Sequence, residues 1–222
     1  MKKLKLKVVT GYIPIQDHPR SAAEYGALGE QLAALKAPIQ PFYGNVTSTW
    51  MFTMVQNLPF GPTWSVADNP QKNTLAYHCV QHQKFQWLFD AAKMDPVPDT
   101  FIWLDYGICH VPGVNTGVIN DFLADVRRED FAIPGCHSRA DIRDDVPCWR
   151  FCGGLFVVPR EYIGPLKNFV QAMSLLHCSA TKNITWEVNT LARVEQTDKL
   201  PIRWYQADHN QTMFTNYKDG LK

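Results

Sequence analysis

Asp105 ends the run Phe101-Ile102-Trp103-Leu104-Asp105 and is followed by Tyr106-Gly107. The apolar residues read as a buried strand, the acid sits at its mouth, and the glycine lets the chain turn. A carboxylate there is costly unless it has a partner. In an open α/β sheet, ligands bind outside the carboxyl ends of the strands. Asp105 therefore suits a metal ion or a sugar hydroxyl, although Asp also caps turns. Other chemistry-bearing groups fall just beside predicted strands or at helix starts: Thr10, Gly153-Gly154, Glu187, Asp208 and His209. A carboxylate and an imidazole presented together bind a divalent cation, which neutralises a diphosphate. Each group also has an ordinary role. Thr10 closes a turn, Glu187 meets the positive end of a helix, and His209 is a surface histidine. Glu187 follows Trp186, so a sugar could stack on the indole and hydrogen-bond to the acid. Cys136-His137 with Cys148 and Cys152 could be imagined as a zinc site, but the spacing contains no C-x-x-C pair, which disfavours it. No Gly-x-Gly-x-x-Gly or Walker pattern is present, which disfavours dinucleotide and P-loop readings.

The elements that position these groups follow from hydrophobic period and turn residues. Leu4 to Tyr12 reads as a strand ending in Thr10-Gly11. Ser21 to Leu35 has helical spacing, with Ser21 and Glu24 in a capping-box arrangement. Pro38 ends it and Ile39 to Tyr43 is a second strand, so the opening is a βαβ unit with parallel strands. Residues 44–76 are broken by proline and glycine and predict short helices and loops. Tyr77 to Met94 is a helix closed by Pro96 and Pro98, leading into the Asp105 strand. A helix starts near Asn115 and runs through Phe122, Leu123 and Val126. Phe131 to Pro134 is a short strand. Gly153-Gly154 leads into the strand Leu155 to Pro159, and the paired glycines allow close approach of backbone or ligand. Tyr162 to Leu176 is a helix, Thr185-Trp186-Glu187 starts another that runs on to Val194, and Ile202 to Tyr205 is a last strand. Alternating strands and helices predict one α/β domain over 1–222, with a mostly parallel central sheet flanked by helices.

The bulk numbers exclude several classes. The chain has 222 residues, 45% hydrophobic and 19% charged, with a net charge of +1. No global field draws it to nucleic acid. The basic run Lys2-Lys3-Leu4-Lys5-Leu6-Lys7 leads into Val8-Val9 and reads as the exposed side of a strand. No stretch is apolar enough to span a membrane, and the start lacks the apolar core of a signal peptide. A cytoplasmic protein with six reduced cysteines is therefore expected.

Four segments together resemble a known family. They are Thr10-Gly11-Tyr12 with Arg20 and the Glu24-Tyr25 helix; Lys84 ahead of Trp103-Leu104-Asp105-Tyr106-Gly107; Cys152-Gly153-Gly154-Leu155-Phe156; and Trp186-Glu187 followed by Trp204-Tyr205-Gln206-Ala207-Asp208-His209. In this order the chain resembles GT-A-type glycosyltransferases, with the layout of the HtrL-like bacterial proteins. The resemblance implies a nucleotide-sugar donor, an acceptor hydroxyl, and Mn²⁺ or Mg²⁺. Thr10, Gly11 and Tyr12 would face the base and ribose. Asp105 would stand in the place of the Asp-x-Asp motif and meet the donor diphosphate through the metal, with His209 as the late ligand. Gly107, Gly153 and Gly154 would lie against the donor, and Arg20 and Lys84 would assist it. Trp186 and Glu187 would contact the acceptor, Glu187 also being the candidate base. The motif departs from the family in reading Asp105-Tyr106-Gly107, without a second acid.

Sugar transfer needs the leaving diphosphate to be neutralised by a metal or basic groups. Arg20, Lys84 and Arg150 are candidates, and the acidic loop at Asp141, Asp144 and Asp145 could supply a base or lie in solvent. Other readings are a non-catalytic nucleotide- or sugar-binding module, favoured by the missing acid, and a phage-type transferase acting on DNA, which the near-neutral charge does not support. A nucleotidyltransferase would need a glycine- and base-rich loop where Thr10-Gly11-Tyr12-Ile13-Pro14 stands.

Overall fold

The computed structural model describes residues 5–15, 20–57, 72–127, 129–139, 142 and 146–220. Strand β1 (Leu6–Tyr12) is followed by helix α1 (Ala22–Ala33), β2 (Ile39–Tyr43), α2 (Trp50–Val55), α3 (Leu75–Met94), β3 (Thr100–Leu104), α4 (Thr116–Asp125), β4 (Ala132–Gly135) and β5 (Leu155–Pro159). Then come α5 (Arg160–Thr181), α6 (Glu187–Gln196), β6 (Arg203–Gln206) and the one-turn helices α7 (Thr212–Thr215) and α8 (Tyr217–Gly220). Single 3₁₀ turns sit at Val46–Ser48 and Ile108–His110. The predicted capping box is present: the Ser21 hydroxyl accepts from the Glu24 N–H, and the Glu24 carboxylate accepts from the Ser21 N–H. Asn115 caps α4 by accepting from the N–H groups of Gly117 and Val118. Helix α5 is longer than the sequence suggests, because Pro159 ends β5 and the helix begins at the next residue.

The sheet order is β2-β1-β3-β5-β4-β6. β1 pairs in parallel with β2 and β3, and β4 pairs in parallel with β6. β5 alone runs the other way, antiparallel to both β3 and β4. The start of β5 therefore lies at the same edge as the carboxyl ends of the other strands.

Successive strand residues face opposite sides of the sheet, and the core divides accordingly. Val8, Ile102, Leu104, Leu155 and Val157 pack under α1, α4, α7 and α8. Val9, Phe101, Trp103, Phe156 and Val158 pack under α3, α5 and α6. Each fully buried large side chain contributes roughly 1.5–3 kcal/mol of transfer free energy, so both faces anchor the edge that carries the site. Among the described residues no helix is long and apolar enough to cross a membrane. All six cysteines are unbridged.

Candidate active site

Trp103 and Asp105 are two residues apart and so project to one side of the sheet. The Trp103 indole N–H donates to Asp105 Oδ1 at 2.7 Å. The Asp105 N–H donates to the Gly154 carbonyl at 3.0 Å, tying the acid to the start of β5. Helix α3 covers this side. Its Tyr77, Val80, Gln81, Lys84 and Trp87 follow helical spacing and all face the same cavity.

Lys84 is 1% exposed. Its ammonium donates to the Gly153 carbonyl at 2.8 Å, to Gln81 Oε1 at 2.9 Å and to Glu187 Oε1 at 3.2 Å. It also lies 3.4 Å from Asp105 Oδ1. Burial alone would lower the Lys84 pKa; the Asp105 and Glu187 carboxylates outweigh it, and the pKa ends raised. Glu187 is the first residue of α6 and is buried. Its Oε2 has no hydrogen-bond partner among the described residues, an expensive state for a buried oxygen. A Cβ on Gly153 would collide with Glu187 Oε1, so any other residue there would displace this carboxylate from its present position. Gly11 is likewise required, since a Cβ there would strike the Trp87 ring.

These groups form the floor of a cleft of about 500 Å³. Gly11, Tyr12 and Arg20 line it from the β1 side, and Asp105 and Gly107 from the end of β3. Gly153, Gly154, Trp186, Glu187 and His209 complete it, together with Lys84. Thr10, an expected site residue, is elsewhere: it is 1% exposed, is absent from the cleft wall, and has an unpartnered hydroxyl among the described residues. The two-residue period turns it to the face opposite Gly11.

Packing places the other expected residues as follows. Lys84 directs its donors to protein oxygens, so it positions the two acids. Arg150 lies outside the cleft wall and is bound to Glu195, at 2.9 Å from Nε and 2.6 Å from Nη2. Trp186 is buried, and its ring meets those of Tyr77, His78 and Trp149 beside the cleft. Asp208 is exposed and outside the lining. Asp141, Asp144 and Asp145 lie outside the described residues.

His209 shares the cleft with Asp105, but its measured neighbours are different. Its Nδ1 is 3.4 Å from Cys136 Sγ, and its ring meets Trp149 edge-on at 4.5 Å. Cys136 is in turn 3.7 Å from Cys152 Sγ. The hydrogen bond with Cys152 pushes the Cys136 thiol down to about 5; burial opposes this and His209 assists it. The Cys152 thiol moves the opposite way.

Of the remaining lining residues, Tyr12 and Arg20 are expected, whereas Lys72 and Trp149 carry no sequence signal of their own. Tyr12, Tyr25 and Tyr106 form an aromatic wall, with ring centroids of Tyr12 4.8 Å from Tyr25 and 5.1 Å from Tyr106. Arg20 hydrogen-bonds Tyr25, whose pKa is nonetheless raised by burial. Lys72 adds a second cation, its pKa lowered mainly by burial. Trp149 is half-buried and held at φ 46°. A left-handed tryptophan is uncommon and marks a constrained position, but it cannot be read from one sequence.

No family model matches the chain, and no curated protein matches it. Solved structures do. A glycosyltransferase involved in the glycosylation of the major capsid of PBCV-1 superposes with a TM-score of 0.53 at 12% identity, over 91% of this chain and 81% of that one. The chain shares its fold with a glycosyltransferase. Mouse xyloside xylosyltransferase 1 in its apo form aligns at a TM-score of 0.41 and 10% identity, over 90% of this chain and 84% of that one.

Proposed function

We propose that the chain is a glycosyltransferase that binds a nucleotide-sugar donor in this cleft and transfers the sugar to an acceptor hydroxyl. The observation that carries this reading is the buried Lys84–Glu187 pair with the half-buried Asp105 beside it, at a cleft of about 500 Å³ on the strand-end edge. The cleft volume suits a small polar ligand. The aromatic wall of Tyr12, Tyr25 and Tyr106 offers a platform for the base. Arg20 and Lys72 supply positive charge for the diphosphate. The four segments that resemble HtrL-like proteins all contribute to this one cleft, which supports kinship with them.

The donor atoms fit Mn²⁺ or Mg²⁺. Asp105 Oδ1 is engaged by Trp103 and Lys84, while the side chain remains 35% exposed, leaving Oδ2 for a ligand. His209 offers an imidazole nitrogen on the same cleft. Such ions take one or two protein carboxylates and complete their shell with phosphate oxygens and water, so a missing second acid is tolerable. When bound, the ion would neutralise charge developing on the diphosphate. Lys84 holds Asp105 and Glu187 in place without reorganisation during reaction, which is the basis of electrostatic catalysis. Glu187 lines the cleft and its Oε2 has no hydrogen-bond partner among the described residues, which supports a role toward a hydroxyl of the donor sugar or the acceptor.

The test is a panel of nucleotide sugars with Mn²⁺, scored by thermal stabilisation and donor hydrolysis. At least one sugar nucleotide is expected to stabilise the protein and turn over, and Asp105→Ala to lose turnover while keeping its fold. No response to any donor, or full turnover by Asp105→Ala, overturns the reading.

A further inference from the structure

Cys136, Cys152 and His209 each present one ligand atom, and the three atoms lie within 4.8 Å of one another. They come from three adjacent strand ends: Cys136 follows β4, Cys152 precedes β5, and His209 follows β6. The two separations that involve Cys136 match those of a coordination sphere. Zinc binds sulfur at about 2.3 Å and imidazole nitrogen at about 2.0–2.1 Å in a tetrahedron. Those bond lengths separate two sulfurs by about 3.8 Å, and a sulfur from a nitrogen by about 3.5 Å. Here Cys136 Sγ is 3.7 Å from Cys152 Sγ and 3.4 Å from His209 Nδ1. A disulfide would instead require the sulfurs at about 2.05 Å.

We propose that Cys136, Cys152 and His209 form a binding site for a soft divalent cation of the zinc class. The site has three protein ligands, and no fourth His, Cys, Asp or Glu joins them among the described residues. Cys152 is fully buried and Cys136 half-buried, whereas His209 is exposed and lines the cleft. The fourth position would take water or a ligand atom, as in zinc sites that are not closed by a fourth side chain. Two sulfurs and an imidazole select zinc-like ions over Mn²⁺ or Mg²⁺. The ion would join the ends of β4, β5 and β6 and stabilise the edge that holds the cleft, because it binds the folded chain and not the unfolded one. Local sequence points to the wrong partners: Cys148 donates its thiol to the Val188 carbonyl and its N–H to Asn189, and the histidine is His209 in place of His137. The site stands on the Cys136–Cys152–His209 trio, and it claims the His209 imidazole that the Mn²⁺ or Mg²⁺ reading also invokes.

The experiment titrates Co²⁺ into the thiol-reduced full chain, then measures Zn²⁺ affinity against a chromophoric chelator. Expected are intense tetrahedral d–d bands and a thiolate-to-cobalt charge-transfer band, saturating near one equivalent and displaced by Zn²⁺ but not by Mn²⁺. Cys136→Ser and His209→Gln should each weaken Zn²⁺ binding by more than about 100-fold, beyond the 10–100-fold typical of an outer-shell partner. His209 is exposed, so His209→Gln tests a ligand without disturbing the core should Cys136→Ser fail to fold. Cys109→Ser, outside the trio, should bind as wild type. A weak octahedral cobalt spectrum, displacement by Mn²⁺, or zinc affinity unchanged in His209→Gln overturns the assignment.

Discussion

Replacing Lys84 by methionine keeps most of the side-chain volume and removes the cation that two acids share. Its Nζ lies 3.2 Å from Glu187 Oε1, with the side chains 1% and 5% exposed. At an effective dielectric constant of 20 that separation corresponds to an attraction of about 5 kcal/mol. The contact with Asp105, at 3.4 Å, is discounted because that carboxylate is 35% exposed and water screens it. Desolvating the ammonium offsets much of the gain, so the intact pair adds little net stability. Removing only the lysine is different, because Glu187 is left buried and uncompensated, a defect that costs about 3–5 kcal/mol. With a urea m-value of about 2 kcal/mol/M, the unfolding midpoint should fall by roughly 2 M. The double variant Lys84→Met/Glu187→Gln should recover most of that loss, since no buried charge remains unpaired. Urea unfolding of the four proteins at pH 7 gives the cycle. A loss below about 1 kcal/mol for Lys84→Met, or strict additivity in the double variant, refutes the argument. The raised Lys84 pKa also fixes a sign: its contribution is present below the ordinary value of 10.5 and is lost only as pH rises through the folded value.

The paired histidines of α3 predict acid sensitivity. Burial is the main cause that lowers His78 from 6.5 to about 3 and His82 to about 4, so the unfolded chain takes up protons first. Stability should fall as pH drops from 6.5, by up to about 2 kcal/mol for each histidine at pH 5. Urea midpoints between pH 6.5 and 5 test this, and a flat profile contradicts it. Glu187→Gln preserves shape and should lower transfer by about 10²-fold or more if Glu187 is the base. A rise in acceptor KM with kcat retained makes it a binding residue, and no change in either removes it from the site. Gly153→Ala should destabilise by about 1–3 kcal/mol through overpacking and displace Glu187, whose Oε1 occupies the space of the new methyl. A variant with wild-type stability and donor turnover would show that the Gly153 approach is not tight.

The elements were legible where one local signal dominates. The Ser21–Glu24 capping box, the apolar run before Asp105 and the period of α3 involve residues close in sequence, so their physics is local. The α/β class followed from the alternation of these elements. Asp105, Glu187 and His209 could be picked out as polar groups at element ends. Thr10 could not be separated from Gly11 by such reasoning, because one step along a strand reverses the face. Trp186 looked available beside Glu187, yet it is buried and its ring meets Tyr77 and His78 from α3.

Strand order and direction were decided only in three dimensions. Gly153 and Gly154 precede their strand, and a parallel β5 would have carried them to the far edge from Asp105. The antiparallel insertion of β5 between β3 and β4 brings them under the carboxyl end of β3, where the Gly154 carbonyl accepts from the Asp105 N–H. The same order sets β5, β4 and β6 side by side and gathers Cys136, Cys152 and His209 from distant parts of the chain. Strand pairing is a competition among long-range packing alternatives, which the residues beside Asp105 and Gly154 do not encode. The sequence by itself determined which groups could do chemistry; the sheet order decided which of them meet.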